Sequence, residues 1–145
     1  MAASSLQKMK GKVPQRFRKL AIWQKSMDFI SEVYKITEDF PDREKYGLTS
    51  QIRRAVLSIA LNISEGSACS SDRDFARYLG IAFSSTYEVI CGFEIADRLN
   101  MCSKEMCEKM IDCSDEIAAM ISGFIKTLNA KEHAASCKLP AVSLS

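Results

Sequence analysis

The sequence predicts an all-α fold, an antiparallel up-down four-helix bundle, from three features. Apolar residues recur at alternating steps of three and four along four successive stretches, which is the spacing of a packed helical face. Proline occurs only at Pro14, Pro41 and Pro140, so long stretches are open to helix. No run alternates apolar and polar residues as a half-buried strand does. The chain of 145 residues reads as one domain, large enough to bury a real core.

Residues 1–16 have no apolar period and are punctuated by Gly11 and Pro14, the pattern of a flexible arm. From Phe17 onward Leu20, Trp23, Met27, Ile30, Tyr34 and Thr37 form one helical line, expected to be the packed face. A second line, Ile22, Phe29, Val33, Ile36 and Phe40, runs beside it. Phe40-Pro41 ends this helix, because proline disfavours helical geometry at the residue before it. A second helix opens at Leu48 or Thr49, with Thr49 or Ser50 as its cap. It carries Ile52, Val56, Ile59 and Ile63 and stops at Gly66.

Ser71 followed by Asp74 makes a capping box with Asp in place of the usual Glu. The third helix then presents Phe75, Leu79, Ala82, Thr86, Val89, Phe93 and Ala96. Asn100 ends it and Ser103 caps the fourth, whose line is Met106, Met110, Cys113, Ile117, Met120 and Phe124. Asn129 closes the bundle, which spans 17–129, and 130–145 reads as a disordered tail. Short connections force neighbouring helices antiparallel. Trp23, Phe75, Phe93 and Phe124 are the expected core anchors.

Phe83, Tyr87 and Ile90 flank the main line of the third helix. Apolar surface beyond one stripe implies a partner, here a second copy of the chain, so a homo-oligomer is expected. Gln51, Arg54, Ser58, Asn62 and Glu65 share a face of the second helix, and Ser84 and Glu88 share one on the third. Where those rows meet, Arg54 pairs with Glu88 and Asn62 fixes helix register, a structural polar network. The same spacing also describes a solvated face.

The net charge of +2 hides an asymmetry. Lys8, Lys10, Lys12, Arg16, Arg18 and Lys19 precede any acid, leaving 14 basic against 18 acidic residues in 20–145. These six, joined by Arg53 and Arg54, are the candidate contacts to an RNA or DNA backbone, which cationic side chains read without regard to sequence. The competing expectation is a protein-interaction scaffold that presents its acidic body and apolar lines to a polymerase-like partner.

Catalytic residues are not expected. His133 is the one histidine, so Glu-x-x-His pairs for a di-iron bundle cannot form. No G-x-S-x-G or phosphate-binding glycine loop occurs. Cys69, Cys91, Cys102, Cys107, Cys113 and Cys137 form no C-x-x-C pair and read as reduced packing thiols rather than metal ligands. Neither a secretory signal nor a run of about 18 apolar residues is present. A cytoplasmic protein with no cofactor, metal, small-molecule substrate or membrane partner is therefore expected.

Beyond these patterns, residues 17–128 resemble the four-helix-bundle proteins encoded in intervening sequences of bacterial 23S ribosomal RNA genes. The matching residues are Phe17-Arg18-Lys19-Leu20, Ile22-Trp23-Gln24-Lys25, Tyr34, Phe40-Pro41 and Glu44. The most specific block runs from Tyr46-Gly47-Leu48-Thr49 through Gln51-Ile52-Arg53-Arg54-Ala55 to Ser58-Ile59-Ala60-Leu61-Asn62-Ile63-Ser64-Glu65-Gly66. Phe75, Leu79, Ile81-Ala82, Ser84 and Glu88 follow. The resemblance implies a homo-oligomer, a five-membered ring. It also implies likeness in fold to the accessory proteins of diversity-generating retroelements, which bind a reverse transcriptase and its RNA, and it implies no enzymatic activity. Ser64, where that family usually has Ala, and Phe83, where glycine is common, depart from the pattern.

Overall fold

Four helices and no strand make up residues 15–138, the part of the chain that this computed structural model describes. They are α1 (Ala21–Thr37), α2 (Leu48–Ser67), α3 (Asp72–Arg98) and α4 (Lys104–Lys138). Short 3-10 turns at Arg16–Lys19 and Asp42–Glu44 precede α1 and α2. The helical face predicted to begin at Phe17 therefore starts as a tighter turn, and Arg16 belongs to that turn rather than to the arm.

Local chemistry sets most boundaries. Ser71 Oγ accepts the Asp74 amide at 3.1 Å, and Ser103 Oγ accepts the Met106 amide at 3.2 Å. Both hydroxyls satisfy a donor that the first helical turn leaves open. At the end of α3, Asn100 adopts φ 55° and the Met101 amide donates to the Ala96 carbonyl at 2.9 Å. That is the left-handed helix stop which asparagine tolerates better than branched residues do. Helix α2 opens at Leu48 as expected, but its cap is a different residue. Gly47 is its cap, the Leu48 amide donates to Glu44 Oε2 at 3.1 Å, and Thr49 lies inside the helix.

The expected lines of α2 and α3 are the buried ones. Ile52, Val56, Ile59 and Ile63 face Leu79, Ala82, Thr86, Val89, Phe93 and Ala96, all closed to solvent. In α1 the order of the two lines is largely reversed: Ile22, Phe29, Val33 and Phe40 are buried and Ile36 is half-buried, whereas of the first line only Thr37 is buried, Leu20, Trp23, Ile30 and Tyr34 are half-buried and Met27 is exposed. In α4 the buried seam is Cys107, Met110, Ser114, Ile117, Ile121 and Leu128, and Met106 is exposed. Of the four expected anchors only Phe93 is fully enclosed, edge-on to Phe40 with centroids 6.3 Å apart. Trp23, Phe75 and Phe124 are half-buried at the rim of the core. There Trp23 packs against Phe17 at 5.0 Å and Phe75 against Phe124 at 5.2 Å.

Helix α4 also continues past Asn129 to Lys138, through part of the expected tail. Ala130, Lys131, Glu132, Ala134 and Ala135 are good helix formers. Residues 129–136 are all exposed, so helix propensity contributes more here than burial does.

Helix α3 packs most extensively, against both α2 and α4, while α1 leans on α2 and touches α4 least. Lys25 of α1 pairs with Glu116 of α4. Along α2 and α3 the facing residues run in opposite chain directions: Ile52 meets Gly92, Ser58 meets Ser85, and Gly66 meets Phe75 and Tyr78. By length and composition α3 is long and apolar enough to cross a membrane, but 44% of the qualifying window is buried inside the bundle.

The α2–α3 approach is closest at Gly92, where a β-carbon would stand 2.5 Å from Ile52 Cγ1. Ile52 is 1% exposed, and the atom met is Cγ1, next to its branch point, rather than the far end of a flexible chain. Gly92→Ala is expected to destabilise the bundle by about 1–2 kcal/mol, overpacking outweighing the better helix propensity of alanine. Equilibrium urea unfolding checks this. In an Ile52→Ala background, where the methyl has space, the same change should be neutral or stabilising; an equal cost in both backgrounds would rule out the clash.

Candidate functional site

Two features stand out on the surface: a face of mixed polarity shared by α2 and α3, and exposed cations around the start of α1. The face arises because α3 carries a second periodic line, Ile81, Ser84, Glu88, Cys91 and Ile95, whose every member is exposed. Beside it Gln51, Arg54, Leu61 and Glu65 of α2 are exposed as well. A groove of about 460 Å³ lies between the two rows, lined by Leu48, Gln51, Glu88, Cys91 and Ile95. Tyr87 and Leu99, both more than half exposed, widen the apolar surface.

The expected polar network takes a different form. Arg54 and Glu88 are exposed and no ion pair joins them. Gln51 and Glu65 likewise face solvent. Only Ser58 and Asn62 of the nominated row are half-buried, and they bond each other. Asn62 Nδ2 donates to Ser58 O at 2.8 Å and to Ser58 Oγ at 2.9 Å. Ser85 Oγ, buried on α3, donates to Ser58 Oγ at 2.8 Å and completes the crossing between the helices. A short serine-asparagine-serine chain thus stands where a longer charged pair was expected. It fits because helices that approach closely leave no room for an arginine. Ser85 was not nominated, because its position follows a line that reads simply as the edge of the core.

Lys8, Lys10 and Lys12 lie outside the described residues. Arg16, Arg18 and Lys19 are exposed on the 3-10 turn ahead of α1, and Gln24 Nε2 anchors that turn by donating to the Arg18 carbonyl at 2.8 Å. Arg53 is placed otherwise. Its guanidinium lies over the Tyr34 ring at 4.6 Å, its Nε donates to Thr37 Oγ1 at 2.8 Å and its Nη2 to the Tyr34 carbonyl at 3.3 Å. Arg53 therefore ties α2 to the end of α1, while its neighbour Arg54 is free to meet solvent. Tyr46, 89% exposed in the α1–α2 turn, is a surface aromatic that helical periodicity could not single out, because it lies outside every helix.

Two of the thiols are poor nucleophiles. Burial, reinforced by a hydrogen bond with Cys102, pushes the Cys107 thiol up to about 12. Burial also raises Cys113, with Glu32 adding to it. Both are neutral thiols near pH 7, neither attacking groups nor ready metal ligands. Among the described residues no cluster of three or more His, Cys, Asp or Glu side chains is placed to hold a metal ion.

Comparison with known proteins places these surfaces in a family context. Residues 18–123 match the family described as 23S rRNA-intervening sequence protein. The chain is also similar to a protein of unknown function from the S23 ribosomal protein family of Bacteroides thetaiotaomicron, known from a crystal structure. The two share 27% identity and a TM-score of 0.66, over 73% of this chain and 99% of that one. No curated protein matches.

Proposed function

The chain belongs to the 23S rRNA-intervening sequence protein family, and from that premise we propose a non-enzymatic accessory protein that binds the RNA or DNA backbone electrostatically. It is a cytoplasmic, self-associating, up-down antiparallel bundle, and the copies join through the α2–α3 face into a ring of five. The observation that carries the nucleic-acid reading is the acid-free run of six cations, Lys8, Lys10, Lys12, Arg16, Arg18 and Lys19. Its last three members are exposed beside α1. In a ring this run is repeated, so weak single contacts gain by avidity. Self-association is supported by the exposed periodic line on α3 and the apolar groove beside it.

Backbone contacts release counterions, so six of them lose roughly a thousandfold in affinity between about 50 and 200 mM salt. Deleting residues 1–16 removes Lys8, Lys10, Lys12 and Arg16 and is expected to flatten the salt slope on duplex by about three to four units. A filter-binding titration across salt measures both. An unchanged slope and affinity in the truncated chain would remove the arm from the binding account. Exposed Arg54 is the cleaner site for a charge reversal on the body, because reversing Arg53 also severs its bonds to Thr37 and Tyr34.

A further inference from the structure

The turn joining α1 to α2 walls a pocket of about 240 Å³, lined by Thr37, Glu38, Asp42, Lys45, Thr49 and Arg53 among others. Thr49 is 7% exposed, and its Oγ1 is buried with no hydrogen-bond partner. A hydroxyl in that condition is rare and costly in a folded protein. It stands in the first turn of the 20-residue helix α2, where Gly47 brings no capping side chain and Glu44 Oε2 accepts only the Leu48 amide. That end of the helix carries partial positive charge and favours an anionic oxygen.

The rest of the lining defines which anion fits. Arg53 is held in place by Thr37 Oγ1, by the Tyr34 carbonyl and by the Tyr34 ring. It is therefore preorganised, and Lys45 adds a second cation. Glu38 and Asp42 sit in the same lining and offset those two charges. A balanced pocket disfavours a dianionic phosphomonoester and suits a phosphodiester, which carries one negative charge. Beside it, Lys45 Nζ lies 5.6 Å from the Tyr46 ring centroid, and Tyr46 is 89% exposed. Aromatic rings so placed are platforms on which unpaired bases stack.

We propose that this turn is a foothold for single-stranded nucleic acid. One phosphodiester occupies the pocket between Thr49, Lys45 and Arg53, and the adjoining base stacks on Tyr46. The inference rests on the nucleic-acid reading above, and it adds to the basic arm a second contact that prefers unpaired bases. It also gives the Thr49 hydroxyl the partner it lacks.

The test uses the full-length chain, a fluorescently labelled oligouridylate and a labelled duplex of mixed sequence, with anisotropy as the readout. Tyr46→Ala is expected to weaken oligouridylate binding by roughly 5- to 100-fold, the range for loss of one stacked base, while duplex binding changes little. Thr49→Val is expected to weaken oligouridylate binding while raising the urea midpoint of the unliganded protein. A merely structural hydroxyl would not give those opposite signs. Either variant binding oligouridylate as the wild type does, or a wild type that binds duplex but not oligouridylate, overturns the foothold and leaves the arm-based reading standing. A wild type that binds neither probe at low salt overturns both.

Discussion

Replacing Phe93 by alanine should lower the unfolding free energy by about 3–5 kcal/mol, the cost of emptying a large, fully enclosed aromatic site. Phe93 is wholly buried in the second half of α3. Its ring meets Phe40 at an interplanar angle of 78°, an edge-to-face contact worth a further fraction of a kcal/mol or more beyond area alone. Phe40 is itself 5% exposed and capped by the turn at Pro41, so the cavity has no flexible wall to collapse into. Phe124→Ala removes the same ring from the rim, where Phe75 and Phe124 are both half-buried, and should cost distinctly less, about 1–3 kcal/mol. Urea unfolding at one fixed protein concentration compares them, since assembly adds to apparent stability by mass action. If Phe124→Ala proves the more damaging, the burial order described for α3 and α4 is wrong.

The second large effect concerns assembly. Ile81 and Ile95 are 43% and 42% exposed on the outward line of α3, and both become buried if copies meet there. Ile81→Glu combined with Ile95→Glu removes two apolar side chains from each interface and places uncompensated carboxylates in it. The loss is at least about 4 kcal/mol per contact, roughly a thousandfold in dissociation constant. Sedimentation velocity at micromolar protein should then report the mass of a single chain with helicity unchanged, since neither residue supports the protomer's core. A variant that sediments as the wild type does would move the association surface elsewhere.

The sequence was most legible on the two central helices. On α2 and α3 the line through Ile52 to Ile63 and that through Leu79 to Ala96 are buried as expected. On α1 two lines lie side by side, and on α4 the buried seam is offset from the expected line, because periodicity fixes spacing but not the rotation of a helix toward its neighbours. Ser26 and Ser114 show why that rotation was hard to read. Both are buried polar residues on the true seams, satisfied by carbonyls of Ile22 and Thr86, and a hydroxyl in a sequence reads as surface.

Arg53 was legible only in part. A cation in the sequence suggests phosphate, but the stacking on Tyr34 and the two hydrogen bonds that fix it to α1 leave no signal there. The unpartnered Thr49 hydroxyl was beyond reach altogether. In the sequence it looks like a helix cap, and only the position of Gly47 ahead of it shows that the cap lies elsewhere.

The overhang of α4 bears on how this protein should be watched in solution. With residues 129–136 all exposed, that stretch is expected to behave as a short peptide helix at the end of a stable rod, fraying gradually on warming rather than in step with the fold. Far-ultraviolet ellipticity therefore drifts before the main transition begins. Trp23 is the sole indole and packs against the bundle beside Phe17, so its emission follows cooperative loss of the fold alone.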